Sequence, residues 1–501
     1  MLSIYSIKIK TFGKGSRVLL LQELLKDWPC TIAGGNYRVA VKGITENSLD
    51  VKPGFIFVAR KGNKNDGTLF IEESINAGAV AIVIDKTTVS NLPSSIPIIT
   101  VPDCRLFLSH ASAELAQNPA DQLTIIAVTG TNGKTTVSHF IGQLLLMQGI
   151  RVAVIGTTGI FIDGISFNYN APQMTTLSAE HLHPLLASCL ENGVTHVVLE
   201  ASSLGLAMYR LEHCKIDIGV LLNVGSDHYD EHGGKKSYID AKKKLLQMAK
   251  KIIVNRDDQV CVHMAQSVVK QCIYFGTHPD SNVRLQLKEN RLLIECQNER
   301  GEFFLPLLGE FNRMNAVAAI SVLHSLSYQF QSILPYVDSL LLPEGRMQQL
   351  NKSNVSVVID YAHTPDALQG VLCSLLKTSM GRLITVFGCG GERDKGKRGE
   401  MGQIAAYYSS DVIITTDNPR NENPLAIIGD IIGGITDSSK EIIVEPDREL
   451  AIQKAINMAG NGDIVLIAGK GHEKIQHTAE GTFPFSDMKI AKHALLQKEE
   501  N

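Results

Sequence analysis

Short apolar runs recur along the chain, and most lead into a glycine-rich or polar stretch and then a segment with apolar residues at helical spacing. That alternation predicts βα units around largely parallel sheets. In the first 120 residues, Val51-Lys52-Pro53-Gly54 predicts a turn and Phe55 to Val58 a short buried strand. Phe70 to Ala77 predicts a helix stopped by Gly78, and Val80 to Ile84 the next strand. Asn118-Pro119-Ala120-Asp121 suits a linker.

A second block opens with a strand from Thr124 to Val128 that runs into Thr129-Gly130-Thr131-Asn132-Gly133-Lys134-Thr135-Thr136. The helix expected next carries Val137, Phe140, Ile141, Leu144 and Leu145 on one face and ends at Gly149. Further strands are expected at Val152 to Ile155, His196 to Leu199, Ile218 to Leu222 and Ile252 to Val254. Val283, Leu285 and Leu287 alternate, and Leu292 and Ile294 follow Glu289-Asn290, which predicts an antiparallel hairpin. A third block starts near Leu342-Pro343-Glu344-Gly345-Arg346. Its strands are expected at Val355 to Ile359, Leu383 to Phe387, Val412 to Thr415, Ile442 to Val444 and Ile464 to Ile467. Each polar signature there follows a strand, and open α/β sheets bind ligands beyond the carboxyl ends of their strands.

The expectation is therefore an α/β protein of three domains, 1–121, 122–342 and 343–501. They are a smaller N-terminal α/β domain, a central P-loop ATPase-type domain with a mostly parallel sheet, and a C-terminal Rossmann-like domain. A length of 501 residues suits that count. Apolar residues at 44% and charged residues at 20% argue for packed cores rather than disorder. Lys and Arg number 48 against 51 Asp and Glu, a net charge of −3, so nothing favours a nucleic-acid or anionic-membrane partner. No apolar run approaches the roughly 20 residues a membrane span needs. Met1 to Arg17 carries four basic residues without the apolar stretch of a secretory signal. Nine scattered cysteines with no C-x-x-C pair fit reduced thiols and a cytoplasmic protein better than a disulfide framework or a zinc site.

Chemistry concentrates first in the loop from Gly130 to Thr136. A strand-to-helix turn of this kind aims backbone N–H groups and the positive helix end at phosphate oxygens. Lys134 suits the outer phosphates and the Thr135 hydroxyl suits Mg²⁺. Val128 stands where the longer motif has glycine, so the loop is the short form Gly-x-x-Gly-Lys-Thr. ATP binding follows. Glu200 ends a strand and is equally suited to hold Mg²⁺ or to cap the helix that follows. Asp227-His228-Tyr229-Asp230-Glu231-His232-Gly233 also follows a strand, and His228 with Glu200 and Thr135 forms a candidate metal shell. Lys242 sits among Lys235, Lys236, Lys243 and Lys244, a cluster that reads as a solvated basic face.

These signatures together resemble the Mur ligases, ATP-dependent amide-forming enzymes of peptidoglycan precursor synthesis. Besides the phosphate loop and the 227–233 segment, the resemblance takes in Tyr238-Ile239-Asp240-Ala241-Lys242, Phe311-Asn312-Arg313-Met314-Asn315 and Asp360-Tyr361-Ala362-His363-Thr364-Pro365-Asp366. It also takes in Gly388-Cys389-Gly390-Gly391, Asp417-Asn418-Pro419-Arg420 and Gly469-Lys470-Gly471-His472-Glu473, and runs from about Lys42 to His477.

What the resemblance implies is specific. ATP would be held by Gly130, Thr131, Asn132, Gly133, Lys134, Thr135, Thr136, Asn312, Asn315, Arg346, Asp360 and His363. Magnesium would be held by Thr135, Glu200, His228 and Lys242, the last as a CO₂-derived carbamate, with Lys134, Lys242 and His228 as the catalytic set. The substrate UDP-N-acetylmuramoyl-L-alanyl-D-glutamate would meet Ser48, Thr175, Thr176, Ser202 and Arg210. The incoming amino acid would meet Arg393, Asp417, Asn418, Arg420, Gly469 and Glu473. Asp-Asn-Pro is by itself a turn formula. The four-residue form with Arg420 is similar to that of members that add meso-diaminopimelate, whose second carboxylate suits a guanidinium fork.

Leu49, Leu204 and Glu392 depart from the family, which usually has arginine, histidine and aspartate there. The partners expected are these small molecules, for a cytoplasmic monomer of cell-wall biogenesis, cell shape and cell division. Rival readings are the same ligase using L-lysine, a folylpolyglutamate-synthetase-like ligase and a non-catalytic P-loop ATPase.

Overall fold

A computed structural model describes residues 18–62, 65–85, 95–225, 227, 229–288, 291–297, 299–352, 354–436 and 441–500. The chain divides into two compact units, one of Met1–Thr129, Gly149–Val220 and Ala241–Ile252, the other of Gly130–Gln148, Leu221–Asp240 and Ile253–Asn501.

In the first unit, one sheet has the order Thr31–Ala33, Ile98–Val101, Ala81–Asp85, Phe55–Val58, Gly43–Thr45. All its pairings are parallel except that of Thr31–Ala33. The two-residue period of the strands divides their side chains between two cores. Ile56 and Val58 join Phe107, Leu108 and Ala111 of the helix Cys104–Leu115 on one face, and Phe57 and Ala59 join Val51 and Ile71 on the other. The Asp103 carboxylate starts that helix by accepting from the Arg105 and Leu106 amides.

The segment expected to be one helix from Phe70 to Ala77 is instead a 3₁₀ turn, Gly67–Phe70, feeding a helix Ile71–Asn76. The Asp66 carboxylate accepts from the Thr68 amide and hydroxyl, which starts the turn three residues early. Gly78 ends the element with φ +98°. The same unit holds the strands Val152–Gly156, His196–Glu200 and Thr124–Thr129, parallel and in that order, with the hairpin Gly159–Ile162 and Ile165–Ser166 on the outer edge.

In the second unit the largest sheet has the order Gln348–Lys352, Val355–Asp360, Ile464–Ala468, Leu383–Phe387, Asp411–Ile414, Ile442–Val444. It is parallel except for Gln348–Lys352. Period two again sets its faces: Val357, Ile359, Val386 and Val465 pack on the helices Arg448–Met458 and Asp487–Glu500, while Val358, Phe387 and Leu466 pack on Pro365–Leu376 and Gly396–Tyr408. The expected hairpin forms between Val283–Lys288 and Arg291–Cys296, with Leu287 opposite Leu292; its turn at 289–290 lies outside the described residues. The helices Lys134–Met147 and Glu310–Ser325 pack on each other. The nine cysteines form no disulfide. Among the described residues no helix is long and apolar enough to cross a membrane.

Candidate active site

The helix Lys134–Met147 begins directly behind the glycine-rich loop, and Gly133 enters it with φ +88°, a conformation that disfavours residues with a Cβ. The Lys134 ammonium donates to the carbonyls of Gly130 and Thr131 at 2.8 and 2.9 Å, so the loop closes around it. Asn223 pins the loop from outside: its Oδ1 accepts from the Asn132 amide at 2.8 Å and its Nδ2 donates to the Asn132 carbonyl at 3.0 Å. The buried Thr131 hydroxyl lies 2.8 Å from the Tyr238 hydroxyl and accepts from the Gly225 amide at 2.8 Å. These contacts fix the turn that leads into the helix N-terminus, and a helix N-terminus behind such a turn is where phosphate oxygens bind.

Five further residues expected at the nucleotide gather in the same unit. Asn312 and Asn315 are buried in the first turns of Glu310–Ser325, where Asn315 Nδ2 donates to Asn312 Oδ1 at 3.0 Å and Asn312 Nδ2 to the Leu308 carbonyl at 2.6 Å. Arg346 donates from Nη2 to Thr135 Oγ1 at 3.2 Å and stacks on the Tyr361 ring at 4.6 Å. Asp360 accepts from the Met347 amide at 2.8 Å. Burial raises the Asp360 carboxyl above its ordinary value, against the opposing charge of Arg346. His363 shares its Nδ1 proton with the Tyr361 carbonyl at 2.9 Å; burial, then the charge of Lys397, lowers it to about 4, so the ring is neutral near pH 7.

The loops after the strands of the six-stranded sheet assemble the residues expected for the amino acid. Asp417 and Asn418 are buried, and a side chain at Gly469 would meet Asp417 Oδ2 at 2.6 Å, so only glycine lets these two loops approach. Asn418 Nδ2 donates to Glu473 Oε2 at 2.8 Å. Arg420 has φ +53°; its amide bonds the His477 carbonyl at 3.1 Å and its guanidinium the Gly391 carbonyl at 2.6 Å. Burial, then the like charge of Arg393, lowers the proton affinity of Arg420, and an anion between them would relieve both effects. Arg393 itself pairs with Glu231 at 3.0 Å.

The residues expected at the nucleotide-sugar substrate lie in the first unit. Thr176 Oγ1 donates to the Glu200 carbonyl at 2.8 Å, accepts from the Ser202 amide at 2.9 Å and lies 3.1 Å from Ser202 Oγ. Ser202 caps the helix Ser203–Ala207. Arg210 donates to the Thr176 carbonyl at 2.9 Å, and Thr175 Oγ1 accepts from Thr157 at 3.1 Å. Ser48 begins a 3₁₀ turn, Ser48–Asp50, and among the described residues no hydrogen bond joins it to the other four.

Glu200 is buried at a strand end opposite Val128, two residues before the phosphate loop. Its carboxylate accepts from the Thr157 amide at 3.0 Å and hydroxyl at 2.9 Å, and a Cβ at Gly156 would stand 2.1 Å from Oε1. Lys242 is 1% exposed, whereas Lys235 and Lys236 are exposed and Lys243 and Lys244 partly so. His228 lies outside the described residues. Among the described residues no group of three or more His, Cys, Asp and Glu is arranged to hold a metal.

Sequence reasoning assigned no role to Asn223, Thr157, Arg398 or Lys470. Arg398 is buried and donates to Glu422, Asp430 and the Gly390 carbonyl, which holds the glycine loop in place. Arg398 ends Gly391-Glu392-Arg393-Asp394-Lys395-Gly396-Lys397-Arg398, a run that the family resemblance also takes in, and that place was its only signal. Asn223 and Thr157 gave none, because their partners are distant in sequence.

Three segments match family profiles: residues 128–323 the Mur ligase middle domain, 345–471 the "Mur ligase, glutamate ligase domain", and 40–115 the "Mur ligase family, catalytic domain". The chain is 35% identical over 474 residues to the UDP-N-acetylmuramoyl-L-alanyl-D-glutamate–2,6-diaminopimelate ligase of Caldanaerobacter subterraneus subsp. tengcongensis, covering 93% of this chain and 97% of that protein. It is 37% identical over 460 residues to the ligase of the same name from Aquifex aeolicus, covering 91% and 94%. A solved structure bearing that enzyme name superposes with a TM-score of 0.66 at 33% identity, covering 97% of this chain and all of the other.

Proposed function

Because the chain belongs to the Mur ligase family, we propose that it joins meso-diaminopimelate to UDP-N-acetylmuramoyl-L-alanyl-D-glutamate at the expense of ATP. It is an ATP-dependent ligase of peptidoglycan precursor synthesis. A carboxylate is inert to amines at neutral pH, so the terminal D-glutamate carboxylate first attacks the γ-phosphate and becomes an acyl phosphate. The amine of diaminopimelate then adds to that carbonyl and expels phosphate, leaving the amide and ADP. Lys134 stabilises charge on the transferring phosphoryl group, and the buried asparagines Asn312 and Asn315 offer amide edges to the base.

The observation that carries the amino-acid choice is the pairing of two opposite recognition elements in one loop cluster. Glu473, fastened to Asn418, suits an ammonium; half-buried Arg420, beside Arg393, suits a carboxylate. The distal end of diaminopimelate bears both groups, and L-lysine bears only the first.

The donors proposed for Mg²⁺ are the Thr135 hydroxyl, the Glu200 carboxylate, His228 and a carbamate on Lys242. Hydroxyl and carboxylate are the hard oxygen donors that this ion prefers, and Thr157 and Gly156 already orient Glu200. The neutral amine of the buried Lys242 can add CO₂ with loss of a proton, and the carbamate so formed is an oxygen donor. Bound Mg²⁺ supplies charge neutralisation for the phosphates.

The domain limits belong to the proposal too: 1–121 for the uridine nucleotide, 122–342 for ATP and 343–501 for the amino acid, in a cytoplasmic monomer. Phosphate release from ATP with the muramoyl dipeptide, measured with each amino acid singly, tests the reading. Release that needs diaminopimelate, with a product heavier by its residue mass, is expected. Release that needs no amino acid overturns it.

A further inference from the structure

Lys470 is wholly buried, 0% exposed. Its ammonium donates to Asn418 Oδ1 at 2.9 Å and to Glu473 Oε2 at 2.9 Å. Asn418 Oδ1 also accepts from the His477 amide at 3.0 Å. Both lone pairs of that oxygen are therefore used, and a flipped amide would set its NH₂ group against two donors. The amide thus has one orientation, with Nδ2 towards Glu473 Oε2. Glu473 receives two donors on that single oxygen, and its Oε1 makes no hydrogen bond among the described residues.

We propose that Lys470 is a positioning residue that sets the charge and the donor pattern of the amino-acid pocket, so that the pocket takes one ammonium and one carboxylate. This rests on the assignment of the amino-acid site above. Asp417, Glu473 and Lys470 together leave one net negative charge, and Arg420 supplies one positive charge. Arg393 is balanced by Glu231, and Arg448 by Asp487 at 2.8 Å. A free amino-acid head carries the complementary pair.

The surroundings are named by their charge. Arg448 and Asp487 act on Asp417, His472 and Tyr361 border Glu473, and Glu392 borders Arg420. Burial alone would raise the Glu473 carboxyl, but the charge and hydrogen bond of Lys470, with the Asn418 amide, bring it below its ordinary value. Without the ammonium, the buried Asp417 and the partly buried Glu473 carboxylates face one another's charge and one holds a proton to higher pH.

The test is Lys470→Met in the full chain, with Lys470→Gln as the second variant because it keeps a donor without the charge. The expected loss in kcat/KM for the amino acid is about 30-fold or more, with KM for ATP and for the muramoyl dipeptide within about twofold. The acid limb of kcat/KM for the amino acid moves to higher pH by about one unit or more. A folded variant with an unmoved acid limb, or a loss spread equally over all three substrates, overturns the proposal. So does failure of both variants to fold, which makes Lys470 a structural residue. Wild type that refuses diaminopimelate overturns the substrate reading alone, and the pH comparison is then made with the amino acid it accepts.

Discussion

The Tyr238 hydroxyl lies 2.8 Å from the Thr131 hydroxyl, tying the helix Lys235–Met248 to the phosphate loop one turn before Lys242. Both side chains are buried, so neither hydroxyl exchanges its partner for bulk water. Tyr238→Phe should cost about 0.5–1.5 kcal/mol, because Thr131 keeps its bond from the Gly225 amide. The loss should appear as weaker ATP binding of up to about tenfold. Calorimetric titration with a non-hydrolysable ATP analogue checks this, and unchanged affinity removes the tether from the account.

The Lys134 ammonium is held by two loop carbonyls, those of Gly130 and Thr131. Lys134→Ala should remove about 3–5 kcal/mol of transition-state stabilisation, the scale of a lost phosphate clamp. Steady-state turnover near that of wild type would refute the phosphate-loop role.

Lys242 differs from its basic neighbours in burial. Lys242→Ala should be nearly inactive, and acetate or formate should restore part of the rate by supplying carboxylate oxygens in the vacated space. Mass spectrometry of native wild type under CO₂ should show the carbamate adduct. Normal turnover in Lys242→Arg would refute the carbamate.

Arg420 is fixed by backbone and side-chain bonds and stands beside a second guanidinium. Losing the fork should cost roughly 2–5 kcal/mol, so Arg420→Ala should raise KM for meso-diaminopimelate by about two to three orders of magnitude. KM for ATP and the dipeptide should barely move. Wild type offered both amino acids together should discriminate against L-lysine by a similar margin, read from product masses. Equal incorporation would overturn the specificity and leave the ligase activity standing.

Glu180, in the first turn of Ala179–Glu191, has a buried Oε2 without a hydrogen-bond partner among the described residues. Burial, then the charge of Glu46, pushes its carboxyl from 4.5 up to about 7. The folded protein thus binds this proton more tightly than the unfolded chain. The group is without cost below about pH 4.5, and stability falls as pH rises towards 7. At pH 8 the penalty is about 1–3 kcal/mol. Glu180→Gln should therefore melt higher than wild type at pH 8 and nearly with it at pH 5. Parallel melting curves at both pH values would show that the carboxyl is ordinary.

Four central strands of the six-stranded sheet, Val355–Asp360, Leu383–Phe387, Asp411–Ile414 and Ile464–Ala468, were legible because they are buried on both faces and read as continuous apolar runs, whereas the part-exposed edge strand Gln348–Lys352 was not legible. Val355, Leu383, Val412, Ile442 and Ile464 each fall within one residue of an observed strand start. The edge strand Thr31–Ala33 was not legible: all three residues are exposed, and burial is what imprints a period on sequence. The phosphate loop and the acid–amide–guanidinium loops were legible as well, since their chemistry is written in contiguous residues.

What the sequence determined alone was the order of α/β units, the contiguous ligand loops and, through them, the family. Only the tertiary structure decided which of five clustered lysines leaves water, that Asn223 and Thr157 brace the loop and Glu200, and that Lys470 locks Asn418 against Glu473. Those relations join residues from three to more than ninety positions apart, and burial and hydrogen-bond geometry exist only once the sheets have brought the loops together.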